Sequence, residues 1–255
     1  MRLGVNIMNF LTTKEKAQLQ LHGWKLNAIQ HFEEKMTNRQ HLFPCIPATQ
    51  AFALSHLRYG FVGHPDDDLT SYELAQVLKE YSENYRQFGK YTTLIVFFKG
   101  SHEENITVEE YEQKYWKLLN KVTELDEKSW PEHIPQDPHE NEWEFCFHGE
   151  PYFMYCATPV HTHRNSRSFP YFMMAITPRW VLQQFNTSPD YAEKMKTQIR
   201  KRLAAYDHIE AHPELKKYGE DDNYEWKQYF LHDDETALSK CPFHRAQQLL
   251  MNKKN

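Results

Sequence analysis

Glycine is scarce in this sequence, with 8 among 255 residues, and no glycine- or serine-rich stretch breaks it into flexible pieces. That scarcity excludes a linker-dominated or low-complexity chain. Cysteine is also sparse. Cys45, Cys146, Cys156 and Cys241 form no CxxC pair, which argues against a zinc ribbon, a thioredoxin-type redox centre and a disulfide scaffold. No apolar run approaches the length of a membrane span, and the opening MRLGVNIMNF is too short and too interrupted by Asn to be a signal-peptide core. The expectation is a soluble cytoplasmic protein with free thiols and no membrane partner. Positive charge is never sustained: acidic and basic residues alternate along a chain of net charge −5, so nucleic acid is not an expected partner. GxGxxG after a strand, GxxxxGK[ST], GxSxG, HExxH and CxxCH are absent. Dinucleotide binding, P-loop phosphoryl transfer, α/β-hydrolase chemistry, zincin proteolysis and covalent c-type heme are thereby disfavoured.

What is present is apolar and aromatic: 40% hydrophobic and 15% aromatic residues, enough for a packed core in a chain of this length. Trp24, Ala28, Ile29 and Phe32 recur at helical spacing, and the run ATQAFALSHLRY after Phe43-Pro44-Cys45-Ile46-Pro47 suits a buried helix. Thr12–Glu15, Thr70–Glu73 and Thr107–Glu110 each read as a capping box. The second opens a helix over about 71–87 and the third a helix through Tyr115 and Val122. TTLIVFFKG (92–100) reads as a strand covered on both faces, in the middle of a sheet. SWPEHIPQDP (129–138) reads as a loop. WEFCF, a turn at Gly149-Glu150-Pro151, and YFMYCATP describe a β-hairpin, YFMMAITP a further strand, and DYAEKMKTQIRKRLAAYD a helix. The fold class is α+β, a single domain with a mixed or antiparallel central sheet and flanking helices. Residues 1–40 form a helical segment packed on the core, 41–245 the main domain, and 246–255 a tail.

Two places could carry chemistry. Cys45 sits just before a predicted helix start, where free backbone N–H groups favour thiolate, as a metal ligand or nucleophile requires; the alternative is a small buried hydrophobe beside Phe43. His161-Thr162-His163-Arg164-Asn165-Ser166-Arg167 is the densest polar cluster and follows an apolar strand. His161 and His163 could share a metal, while Arg164 and Arg167 offer planar donor forks to a carboxylate or form surface salt bridges. Cys241-Pro242-Phe243 repeats the Cys-Pro theme, with a buried structural cysteine that docks the tail as the simpler reading, and Glu150 points either into the site or to solvent.

In order along the chain, FPC (43–45), GEPYF (149–153), HxxRxSR (161–167), IRKR (199–202), HPELKKYG (212–219), Glu225-Trp-Lys-Gln-Tyr229 and CPF (241–243) resemble the bacterial YqcI/YcgG family. His212-Pro213 stands where members often have Asn-Pro. Some members are heme-dependent oxygenases that N-hydroxylate the guanidine of arginine or a related compound. The resemblance therefore implies a non-covalent heme b, a small arginine-like substrate and an electron donor, with no oligomeric state specified. Cys45, His161 or Cys241 would supply the axial ligand, with Cys45 and His161 the leading alternatives. Arg164, Ser166 and Arg167 would meet heme propionates or the substrate carboxylate, and Glu150 or Glu225 would hold a cationic guanidinium as catalytic residues. A heme or small-molecule binding protein without turnover, and a non-heme metalloenzyme built on His161 and His163, are the competing readings.

Overall fold

The computed structural model describes residues 10–100, 106–185, 188–216 and 221–244. Five strands form one mixed sheet: β1 (Leu57–Val62), β2 (Thr93–Phe98), β3 (Phe145–Phe147), β4 (Glu150–Ala157) and β5 (Met173–Pro178), in spatial order β1-β2-β5-β4-β3. β1 and β2 are parallel, and every other pairing is antiparallel. The helices are α1 (Lys14–Gln20), α2 (Gly23–Thr37), α3 (Ile46–Ala53), α4 (Thr70–Asn84), α5 (Val108–Glu124), α6 (Arg179–Phe185), α7 (Pro189–Tyr206) and α8 (Trp226–Tyr229). This is the α+β arrangement that the sequence pattern predicts, and of the mixed or antiparallel sheet it allows, the sheet is mixed.

Because side chains alternate across a strand, the sheet has two inner faces. Leu94, Val96 and Phe98 of β2, Met174 and Ile176 of β5, and Tyr152, Met154 and Cys156 of β4 join a core with α4, α5 and α8. Ile95 and Phe97, Met173, and Ala157 join a second core with α1, α2 and α3. A strand buried on both sides has no polar alternation, which is why TTLIVFFKG reads as continuous. β2 is interior, although β5 is the central strand.

Several local expectations need correction. The ATQAFALSHLRY helix stops at Ala53: Ser55 turns to φ 56°, and Leu57-Arg58-Tyr59 begins β1. Gly60 in β1 is required by packing, since a Cβ there would lie 2.5 Å from Val77 Cγ1 of α4. The first of the capping boxes does not form: Thr13 alone caps α1, accepting from Lys16 N–H, and Thr12 instead bridges to Tyr59. The second does not form, because Leu69 is the cap, the Thr70 hydroxyl donates to the His64 carbonyl and the Glu73 carboxylate accepts from Gly63 N–H. The third forms as predicted, with Thr107 and Glu110 reciprocally bonded. The hairpin turns at His148-Gly149 (φ 54° and 79°), one step before the predicted Gly149-Glu150-Pro151, so Glu150 opens β4. The 246–255 tail lies outside the described residues. No helix among the described residues is long and apolar enough to cross a membrane.

Candidate functional site

The α2/α3 face of the sheet is not filled to the end of the strands. Between that face, α2, the 43–48 segment and α7 lies a cavity of about 420 Å³ with a largely apolar wall, within the size range of small-molecule and cofactor sites. Its floor is made by residues two apart on three adjacent strands: Thr93 and Ile95, Ala175 and Thr177, Phe153 and Tyr155. Thr93, Ala175 and Thr177 are small where neighbouring floor positions carry Phe or Tyr, and this local loss of volume opens the hollow. Helix α7 closes the far side through Met195, Ile199 and Leu203.

Cys45 is on this wall, as the N-cap residue of α3, with Pro47 in the first helical turn. Burial pushes its thiol pKa up; the Ala48 N–H acts the other way, favouring thiolate without closing a capping hydrogen bond. Lys35 of α2 also reaches the wall. Its Nζ donates to the carbonyls of Asn165 (2.8 Å) and Ser168 (2.9 Å) and lies over the rings of Phe43 and Tyr206. Burial lowers the Lys35 pKa to about 8, against support from Asp207.

The His161–Arg167 cluster lies beside the cavity and is consumed in holding the chain together. His161 is buried, with Nε2 bonded to the Leu231 carbonyl (2.8 Å) and Nδ1 to the Thr158 hydroxyl (2.8 Å). A carbonyl can only accept, so Nε2 donates, and burial holds the ring towards the neutral form. Both ring nitrogens are thus occupied by the protein itself. Arg164 donates to the carbonyls of His232, Glu210 and Asp234. Arg167 donates to those of Cys156, Tyr229 and Gln228, with its guanidinium 4.2 Å from the centre of the Tyr155 ring. The Ser166 hydroxyl and backbone N–H both bond Asp207, and Asp233 accepts from the N–H groups of Thr162, His163 and Arg164. The two arginines, read from sequence as carboxylate or propionate receptors or as surface salt bridges, are carbonyl clamps: Arg164 holds Glu210, His232 and Asp234, and Arg167 ties Gln228 and Tyr229 to Cys156 of β4.

The other candidates are elsewhere. Cys241 is buried in the aromatic core of the opposite face, its pKa pushed up to about 12 by burial. Glu150 accepts from the Tyr85 hydroxyl (2.9 Å), and Glu225 is buried beside Asn223, whose side-chain amide it accepts from. Of the residues singled out as ligands or catalysts, Cys45 alone lines the cavity among the described residues. His161 and His163 gain no third partner there: no group of three or more His, Cys, Asp or Glu among the described residues is arranged to hold a metal ion. The sequence reading passed over Lys35, Tyr155, Thr93, Ala175 and Thr177. A cation on an otherwise apolar helix stripe, and small residues at every second position of a large-residue strand, were the available signals.

All the motif segments except CPF, which lies in the opposite core, nonetheless meet at or beside this one place. Phe43 and Cys45, Phe153, Ile199 and Arg200, and Leu215 and Lys216 all line the cavity, each from a different motif. HxxRxSR meets it through Lys35 and Tyr155, and the Glu225–Tyr229 motif through Tyr229 against Phe153, 5.5 Å between ring centres.

Comparisons with known proteins follow the same extent. Two proteins of Bacillus subtilis (strain 168), the "Uncharacterized protein YqcI" and the "Uncharacterized protein YcgG", are each 46% identical, over 94% of this chain and 96% and 94% of their own lengths. The "Putative N(omega)-hydroxy-L-arginine synthase DcsA" of Streptomyces lavendulae is 30% identical over 91% of this chain and 89% of its own. No solved structure matches significantly. With the family profile matching residues 32–244, the whole interval from α2 to the CPF motif that builds the cavity and its clamps, the chain belongs to the YqcI/YcgG family.

Proposed function

We propose that this protein is an oxygenase that holds heme b non-covalently in the α2/α3/α7 cavity, with Cys45 as the axial ligand, and N-hydroxylates a guanidine or amine of a small amino-acid-like substrate. The observation that carries the reading is the position of Cys45: a thiol at a helix N-terminus on the wall of the large apolar cavity, where the family motifs other than CPF meet. The substrate class is carried over from the relative named as a hydroxy-arginine synthase, at 30% identity.

The residues present fit the group. The wall is largely apolar, Cys45 supplies a sulfur ligand, and Lys35, Lys196 and Arg200 supply cations for acidic substituents. The raised thiol pKa is a property of the cavity without a metal, since coordination deprotonates a thiol outright. His161 fits less well because both ring nitrogens are already bonded. When bound, a thiolate-ligated heme would supply activation of dioxygen for transfer of one oxygen atom to nitrogen. The chain's own part is to exclude water through the apolar wall, to place the mutually hydrogen-bonded Thr93 and Thr177 hydroxyls on the floor, and to fix the position of Cys45 through Pro44, Pro47 and the packing of Phe43.

The test is turnover. Purified protein reconstituted with hemin, an artificial one-electron reductant and L-arginine should consume oxygen in a substrate-dependent manner and yield a product heavier by one oxygen atom. Heme binding with no substrate-dependent uptake across a panel of guanidines and amines would replace the oxygenase by a heme-binding protein.

A further inference from the structure

The charge of the cavity runs against that of the molecule. The protein is acidic overall, yet the cavity's basic and carboxylate side chains are Lys35, Lys196, Arg200 and Lys216 against Glu193 alone. Lys216 is paired with Asp222. Lys196 and Arg200 stand on α7, Arg200 exposed and donating to the Leu215 carbonyl, whereas Lys35 is held between α2 and the 165–168 segment.

Lys35 is the informative member. An ammonium group has three donors, and two of them go to the Asn165 and Ser168 carbonyls. Two aromatic faces flank the charge. Asp207, its electrostatic supporter, has both oxygens engaged by Ser166. Tethering one loop needs two hydrogen bonds and no net charge, and an Asn or Gln could serve; burying a cation costs several kcal/mol unless something anionic meets it. The remaining N–H on a cavity-lining side chain is where that partner would sit.

We infer that Lys35 is the anion anchor of the cavity, and that the natural ligand carries a carboxylate that takes the third Lys35 N–H. The assignment rests on the cavity being the ligand site, but not on the ligand being heme. Two sources share the chemistry: a porphyrin propionate, or the carboxylate of an amino-acid substrate.

The experiment uses the full chain and the fluorescent probe N-phenyl-1-naphthylamine, displaced by decanoate or by decanol, which differ in head group. Wild type should bind decanoate at least about tenfold more tightly than decanol. Lys35→Gln, which keeps donors for the two carbonyls, should lose most of that preference while decanol affinity changes less than about twofold, and Lys35→Arg should restore it. Equal affinity of decanoate and decanol for wild type, or an unchanged preference in Lys35→Gln, overturns the anchor. Should Lys35→Gln not fold, the wild-type comparison still decides whether the cavity prefers anions, and Lys35→Arg whether a cation at this position suffices. The source is then read by absorption titration: a defect of Lys35→Gln with hemin but not hemin dimethyl ester identifies the propionate, whereas normal hemin binding with a lost L-arginine-induced spectral change identifies the substrate carboxylate. Failure of wild type to take up hemin, with the decanoate preference intact, would remove the heme reading and leave the anchor standing.

Discussion

The two faces of one sheet make an instructive pair. On the α4/α5/α8 side, β4 and β5 present Tyr152, Met154, Cys156, Met174 and Ile176 to a closed wall of Tyr115, Trp116, Trp143 and Tyr229. On the other side the same strands present Phe153, Tyr155, Ala175 and Thr177, and a cavity remains. The backbone is common to both, so the difference lies in side-chain volume at alternate positions and in what covers them. One face is finished by rings packed edge-on, tilted and stacked, 5.0–6.4 Å between centres. The other is roofed by α7 and the 43–48 segment across a gap. Strand parity thus divides the sheet: one parity is packed throughout, while the other builds a core with α1, α2 and α3 and leaves a hollow beside it.

Between the faces sits the arginine pair, and it gives the largest expected effect. Arg167→Met would leave the carbonyls of Cys156, Tyr229 and Gln228 without these donors and should cost about 1–3 kcal/mol for each carbonyl left unsatisfied, measured by urea unfolding. A loss below about 1 kcal/mol would mean that the clamp is dispensable, and the arginine would again be available for ligand binding.

Filling the hollow face sharpens the contrast. Ala175→Leu should reduce binding of any cavity ligand by at least about tenfold, read as probe or hemin affinity, with stability changed by less than about 1.5 kcal/mol because the space exists. Cys156→Leu, on the filled face of β4, should show the reverse: overpacking that costs about 1–3 kcal/mol, with ligand affinity retained.

The filled side also carries a pH signature. Its Glu112 accepts from His232 Nε2 at 2.8 Å, and this hydrogen bond raises the histidine pKa above its ordinary 6.5. A raised histidine stabilises the fold fully below its unfolded pKa, and that contribution is lost as pH rises through the folded value. Denaturation midpoints should therefore fall from pH 6 upward through neutrality by more in wild type than in Glu112→Gln; equal slopes would contradict the pair. The smallest effect is at the edge of the same side. Thr107→Ala removes the α5 cap and should cost about 1 kcal/mol in stability without touching ligand affinity.

Much of the fold is written in local chemistry. β2 and the hairpin strands are legible from run length and turn residues, α2 and α5 from apolar spacing, and the α5 cap from Thr107 and Glu110. β1 was hidden because Leu57-Arg58-Tyr59 follows a helix without a glycine or proline break, and only a left-handed Ser55 separates the two. The capping box at Thr70 failed because the tertiary partners His64 and Gly63 took its side chains. The site divides in the same way. Cys45 could be read from its place before a helix, and the polar cluster from its density, but the roles within that cluster depend on which carbonyls lie 40 to 70 residues away. Arginines that clamp backbone and arginines that bind carboxylates have the same sequence. Lys35 and the small floor residues became visible only when three strands and α7 were brought around one volume.

The central claim is that the cavity holds a heme through Cys45. It is tested most directly by absorption spectra of hemin-reconstituted wild type, Cys45→Ala and His161→Asn as ferric, ferrous and ferrous-carbonyl forms. The account predicts a strong Soret band in wild type, with the carbonyl band shifted far to the red as for a thiolate, loss of that shift in Cys45→Ala, and its retention in His161→Asn wherever that variant folds. A histidine-type carbonyl band in wild type that survives in Cys45→Ala would contradict it, as would no uptake of heme at all.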